Sequence, residues 1–259
     1  MLGKLMKYEF KATGRIFLPL FSALLIVSAV TRLLSGLQAQ APHIIGITSA
    51  AMLIAAAFVI TLILTIQRFY KNFMSSEGYL MFTLPVTTDR LIWSKLLVAA
   101  AWNIICLLAV SLSVSIMAMP GNELKALLQS IAEFRLPTAD YVFYMIELSA
   151  VVLVTMLDGI LSLYACMALS MLFNKHRVSI SFGIYVGMII LFQILAVIAA
   201  SIAVHLDFTF PNGLSVFINT HPNGTLHALL LLTLLAVAAV GAVFFAVTRH
   251  MLKNRLNLQ

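Results

Sequence analysis

At 259 residues, 62% hydrophobic and only 10% charged, with a mean hydropathy of +1.06, this chain is not a soluble domain; ordinary soluble chains carry roughly 25% charged residues. Its net charge of +7 does not point to nucleic acid, because in so apolar a chain the placement of the charges matters more than their sum. Composition specifies an integral membrane protein. Cys106 and Cys166, both inside apolar runs, read as small core residues and not as a disulfide.

In chain order, residues 1–15 hold Lys4, Lys7, Lys11 and Arg15, with Leu2, Leu5, Met6 and Phe10 between them at roughly helical spacing. This reads as an amphipathic interfacial helix on the inner leaflet; a signal peptide cleaved near Ala39-Gln40-Ala41 is the competing reading. Six apolar spans follow: Ile16–Leu34, Ile44–Ile66, Leu96–Met119, Tyr141 to Phe173, Val178–Val204 and Leu226–Val247. Each reaches the length of about 20 residues that a bilayer core requires. The fourth exceeds it, so it either tilts or projects.

Between spans two and three lies Gln67–Lys95, the one long interruption of the apolar pattern. Its Phe69, Tyr70, Phe73, Tyr79, Met81, Phe82, Leu91 and Trp93 exceed what a solvated linker needs, so it either lies in the interface or docks into a partner. Ser75 or Ser76 can cap a short helix with Glu77 in its first turn. Pro85 stops it, because proline disfavours the helical conformation at Leu84. Thr87 or Thr88 can cap the next start, with Asp89 behind it. A short helix wedged between two spans is a lever arm.

Two outer segments are more than turns. Residues 120–140 hold Asn122 as a cap, then Leu124, Leu127, Leu128, Ile131 and Phe134 at helical spacing, an outer amphipathic helix. Residues 205–225 contain Pro211-Asn212-Gly213 and Pro222-Asn223-Gly224, both turn signals, around an apolar Leu214–Ile218 that can re-enter the interface. Counting Lys and Arg, 13 of 16 fall on one side of a six-span topology, leaving Arg32, Lys125 and Arg135 on the other. Both termini are then cytoplasmic. The loop after span two has 29 residues and its counterpart after span four has four, which weighs against carriers built from inverted repeats.

The run Ser76-Glu77-Gly78-Tyr79-Leu80-Met81-Phe82-Thr83-Leu84-Pro85, followed by Ser94-Lys95, resembles the loop of a family of bacterial ABC exporter permeases, the six-helix membrane subunits made separately from their ATPase. Leu5-Met6-Lys7-Tyr8-Glu9-Phe10-Lys11 with Gly14-Arg15 is similar to the start of the same family. The detailed likeness covers residues 1–35 and 67–103. It implies that the loop is a coupling helix seated in a groove of the ATPase, with Glu77, Gly78 and Tyr79 at the contact and Leu80, Leu84 and Pro85 completing the coupling segment. It also implies a paired permease, identical or mixed, exporting hydrophobic or amphipathic compounds such as peptides, antimicrobials or lipids. The expected fold is all-α and polytopic: a single transmembrane domain of six helices, an N-terminal interfacial helix and a cytoplasmic coupling helix between spans two and three.

No GxxxxGK[ST] loop occurs in the chain, so ATP and Mg are expected on the partner ATPase and no cofactor or catalytic residue here. The six histidines are scattered and none pairs at i, i+4 with an acid, so no metal site is expected. Two carboxylates stand in the fourth span. Glu147 and Asp158, 11 residues apart, share one helix face about 16 Å apart along the axis. An acid as deep as Asp158 costs about 2.5–3.5 kcal/mol on insertion scales and should face protein or a water-filled path. Both are candidates for a translocation path, Glu147 with the competing reading of reaching the interface and Asp158 of fixing helix packing. A non-transporting sensor or scaffold, coupled through the same loop to a cytoplasmic partner, is the alternative function.

Overall fold

The computed structural model describes residues 2–35, 40–73, 86–118, 139–173, 177–209 and 222–254. The six expected spans are six long helices: α1 (Leu2–Ser35), α2 (Gln40–Phe73), α3 (Thr88–Ala118), α4 (Ala139–Ser170), α5 (Arg177–Thr209) and α6 (Pro222–Asn254). Each carries an apolar stretch of 26 to 32 residues, long enough to cross a bilayer. Leu33, Met52, Leu191 and Leu235 are among many large apolar side chains left exposed, a surface that suits lipid and not water. The chain is an all-α, multi-pass membrane protein. The helices divide into two compact units, Met1–Arg135 and Leu136–Gln259.

In the first unit, α1 packs against both α3 and α2. Cross-helix contacts give the directions. Glu9 meets Lys95, Thr13 meets Trp102, and Ser28 hydrogen-bonds Ser113, so α1 and α3 run parallel. Glu9 also meets Asn72 while Thr31 lies against Gly46, so α2 runs antiparallel. Gly46 is what permits that approach, because a β-carbon there would stand 2.6 Å from the Thr31 hydroxyl. Polar residues along the spans turn inward onto their own helix. Ser28, Thr31, Thr61 and Thr65 donate to carbonyls four residues back at 2.7–2.8 Å, which removes unpaired hydroxyls from the apolar interior.

The segment expected as an interfacial helix and the span from Ile16 lie on one continuous helix, with Pro19 accommodated inside. At roughly 50 Å this helix is longer than the bilayer core, so one end projects. Lys4, Lys7, Lys11 and Arg15 are exposed, as the amphipathic pattern requires, but Met6 and Phe10 pack against a buried cluster of Phe17, Phe21, Leu64, Trp102 and Cys106. Cleavage near Ala39-Gln40-Ala41 would take Phe17, Phe21 and Leu24 out of the core.

The interruption between spans two and three is narrower than the sequence suggests, because α2 continues to Phe73 and α3 starts at Thr88. Thr87 occupies the cap, its carbonyl accepting from the amides of Arg90 and Leu91 at 3.0 and 3.3 Å. Phe69, Phe73 and Leu91 are fully buried within the unit. These three members of the apolar surplus are therefore used inside this chain, while Trp93 remains 42% exposed.

In the second unit, α4 packs most extensively against α6, with α5 on another side of α4. Glu147 meets His227 and Asp158 meets Gly241, so α4 and α6 also run parallel. The core concentrates in the second half of α4, at Ile160, Leu161, Tyr164, Ala165, Cys166, Met167 and Ala168. Beyond Ser170 the backbone tightens into bonds three residues back, Met171 to Ala168 and Phe173 to Ser170, and α4 ends. Cys106 and Cys166 are both free and buried, as their apolar settings predict. Most of the outer segments expected over 120–140 and 205–225 lies outside the described residues, but Pro222-Asn223-Gly224, expected as a turn, forms the first turn of α6, where proline is tolerated at a helix start.

Candidate functional site

Glu77, Gly78, Tyr79, Leu80, Leu84 and Pro85 lie outside the described residues, but the two helix ends that bracket them are defined. Asn72, near the end of α2, donates its amide to Glu9 Oε1 at 3.2 Å. Lys95, two turns into α3, forms an ion pair with the same Glu9 oxygen. Side-chain exposure is 3% for Lys95 and 14% for Glu9, so this pair is a buried one and not a solvated surface contact. One turn along α1, Thr13 accepts from Trp102 Nε1 at 2.7 Å and donates to the Glu9 carbonyl at 2.7 Å. Both flanks of the 74–85 segment are thereby tied to one point on α1.

Glu147 and Asp158 both face α6, as their shared helical face requires, but they do different things. Glu147 Oε2 lies 2.8 Å from His227 Nδ1, and the ring of Tyr144 stacks on that imidazole at 4.1 Å between centroids and 8° between planes. Glu147 is thus held inside its unit by a partner 80 residues away, a pairing that no local spacing shows. Among the described residues, no three His, Cys, Asp or Glu side chains gather as a metal set.

Asp158 lines a cleft of about 410 Å³ between α4, α5 and α6. Tyr185, Met188 and Phe192 of α5 and Val240 and Phe244 of α6 line it, with Thr155, Gly159 and Ser162 on the α4 side. Among the described residues the Asp158 carboxylate has no hydrogen-bond or ion-pair partner. The two hydroxyls nearest in sequence are spent elsewhere: Thr155 donates to the Val151 carbonyl and Ser162 to the Gly159 carbonyl, each at 2.8 Å.

Comparison of the chain with family models, curated proteins and solved structures gives no match.

Asp158 is held where it is by a missing side chain. A β-carbon on Gly241 would collide with the carboxylate, standing 2.9 Å from its Cγ, whereas one on Gly159 meets nothing within 4 Å. Gly241→Ala is expected to destabilise the protein by about 1–3 kcal/mol through overpacking. Gly159→Ala should be neutral or slightly stabilising, since alanine is the better helix former by about 1 kcal/mol. Thermal melting of the purified protein in detergent checks both. Adding Asp158→Ala to the Gly241→Ala variant should recover most of the loss; no recovery would mean that backbone crowding, and not the carboxylate, sets the α4–α6 distance.

Proposed function

We propose that this chain is the membrane subunit of an ATP-driven exporter, made separately from its ATPase and acting as one of a pair of permeases in the bacterial cell membrane. Both termini and the 74–85 segment face the cytoplasm in this reading, in keeping with 13 of the 16 Lys and Arg residues on that side. The observation that carries it is the convergence of Asn72 and Lys95 on Glu9. A push delivered to the segment reaches α1, α2 and α3 together through buried polar contacts, where an unanchored loop would dissipate it. The energy comes from ATP bound with Mg on the partner subunit, since the chain carries no phosphate loop.

Co-expression with an ABC-type ATPase subunit from the same genome tests the reading. The two should co-purify, and ATP turnover should depend on this chain. Tyr79→Ala, which removes an aromatic anchor at the contact implied by the family likeness, should weaken assembly by about 2 kcal/mol or more, roughly 30-fold in affinity. A residue inserted between Gly78 and Pro85 should lower stimulated turnover while leaving membrane insertion intact. An ATPase that neither co-purifies nor responds to this chain would leave the sensor or scaffold reading in its place.

A further inference from the structure

We infer that the Asp158 cleft is a binding site for an organic cation with an apolar, aromatic-sized body. As a statement about cargo this rests on the exporter reading; as a statement about binding it is measured without the ATPase. Three observations carry it. The first is an acid set in a largely apolar wall: Asp158 lines the cleft together with Met188, Phe192, Val240 and Phe244, and lacks a partner among the described residues. A carboxylate within a membrane span is costly unless a countercharge or water meets it. No described Arg, Lys or His of its own unit is paired with it. Arg249 lies eight residues beyond Gly241, about 12 Å along α6, and His227 is engaged with Glu147.

The second is the aromatic furniture. Phe192 and Phe244 come from different helices and meet edge to face, with centroids 6.2 Å apart and planes at 75°. Tyr185 adds a third ring to the same wall. Ring faces attract a cation by their quadrupole and apolar groups by burial, so the same wall accommodates both parts of an amphipathic cation. The third is size. About 410 Å³ falls within the roughly 300–1,000 Å³ typical of small-molecule sites. An anion or a zwitterion would set negative charge against Asp158, and a neutral apolar molecule would leave it uncompensated. A compact cation with a bulky apolar shell satisfies the whole wall.

Equilibrium binding of radiolabelled tetraphenylphosphonium to the purified full chain in lipid nanodiscs tests this. Tetraphenylborate, of the same shape and opposite charge, is the control. Saturable binding of the phosphonium and none of the borate is expected. Asp158→Asn should weaken the phosphonium by at least ~10-fold, the worth of a hydrogen bond or contact to a charged group. Asp158→Glu should retain binding, and Phe244→Ala should weaken it about 3- to 10-fold, as loss of a cation–aromatic contact does. Each variant must match the wild type in size-exclusion profile, which separates lost binding from lost fold. Equal binding of the two ions, or unchanged binding by Asp158→Asn, overturns the inference, as does disulfide cross-linking of Val240→Cys between two copies at full yield, which would put another chain in the cleft. Cation binding with no ATPase recruited would instead count against the exporter reading alone.

Discussion

Lys95→Met is expected to destabilise the first unit by about 3–5 kcal/mol, because it strands the Glu9 carboxylate in a buried site with only the Asn72 amide left beside it. Glu9→Gln strands the ammonium of Lys95 instead and should cost a similar amount. The double variant Glu9→Gln, Lys95→Met removes both charges and should recover most of the stability, since a buried ion pair is itself close to neutral against an uncharged replacement. The reporter is at hand in the same unit. Cys106 is 1% exposed, so its reaction with a thiol-reactive dye on heating follows opening of the first unit once Cys166→Ala removes the other thiol. A double variant as unstable as the sum of the two singles would show that the residues act independently. If the exporter reading holds, the rescued double variant separates two roles: it should insert and fold, yet stimulate the ATPase less than the wild type, because the tie from the segment to α1 has been loosened.

The six helices were legible because hydropathy over 20 or more residues is a strong and local signal, and the start of α3 was legible because Thr87 and Asp89 have the chemistry of a helix entry. What escaped is the pairing across helices. Lys95 reads in sequence as one more cytoplasmic charge, and its partner is 86 residues away. Glu147 reads as an acid near the interface, and His227 is 80 residues away. A signal for both was nonetheless present. Spans one and three run the same way, as do spans four and six, so polar residues at equal depth from the start of two such helices can meet. Glu9 and Lys95 each stand seven residues into their helices, and Glu147 and His227 eight and five residues into theirs. Periodicity along residues 1–15 says that a face is buried but not by what, and the ring of Trp102 lies against Phe10 there.

Trp102→Ala is expected to lower the stability of the first unit by about 3–5 kcal/mol, the usual cost of deleting a large buried aromatic. The indole is 5% exposed and central to its cluster. It stacks on Phe17 with centroids 4.6 Å apart and planes at 22°, and it touches Phe10 at 5.2 Å and Phe21 at 6.3 Å. Three rings of α1, spread over its first 21 residues, thus converge on one side chain of α3. Trp102→Phe separates the packing from the polar contact. It keeps a ring in the cluster and removes only the Nε1 donor to Thr13, whose hydroxyl still donates to the Glu9 carbonyl, so no buried donor is left unpaired. Its cost should be about 1 kcal/mol for the lost bond, plus the smaller ring. Reaction of the Cys106 thiol, a member of the same cluster, reads both variants, and Trp93→Phe provides the exposed-tryptophan control with an effect near zero. Equal effects of Trp102→Phe and Trp102→Ala would show that the hydrogen bond to Thr13, and not the stack of rings, joins α1 to α3. That result would extend the polar contacts on which the exporter reading rests to the line Trp102–Thr13–Glu9–Lys95.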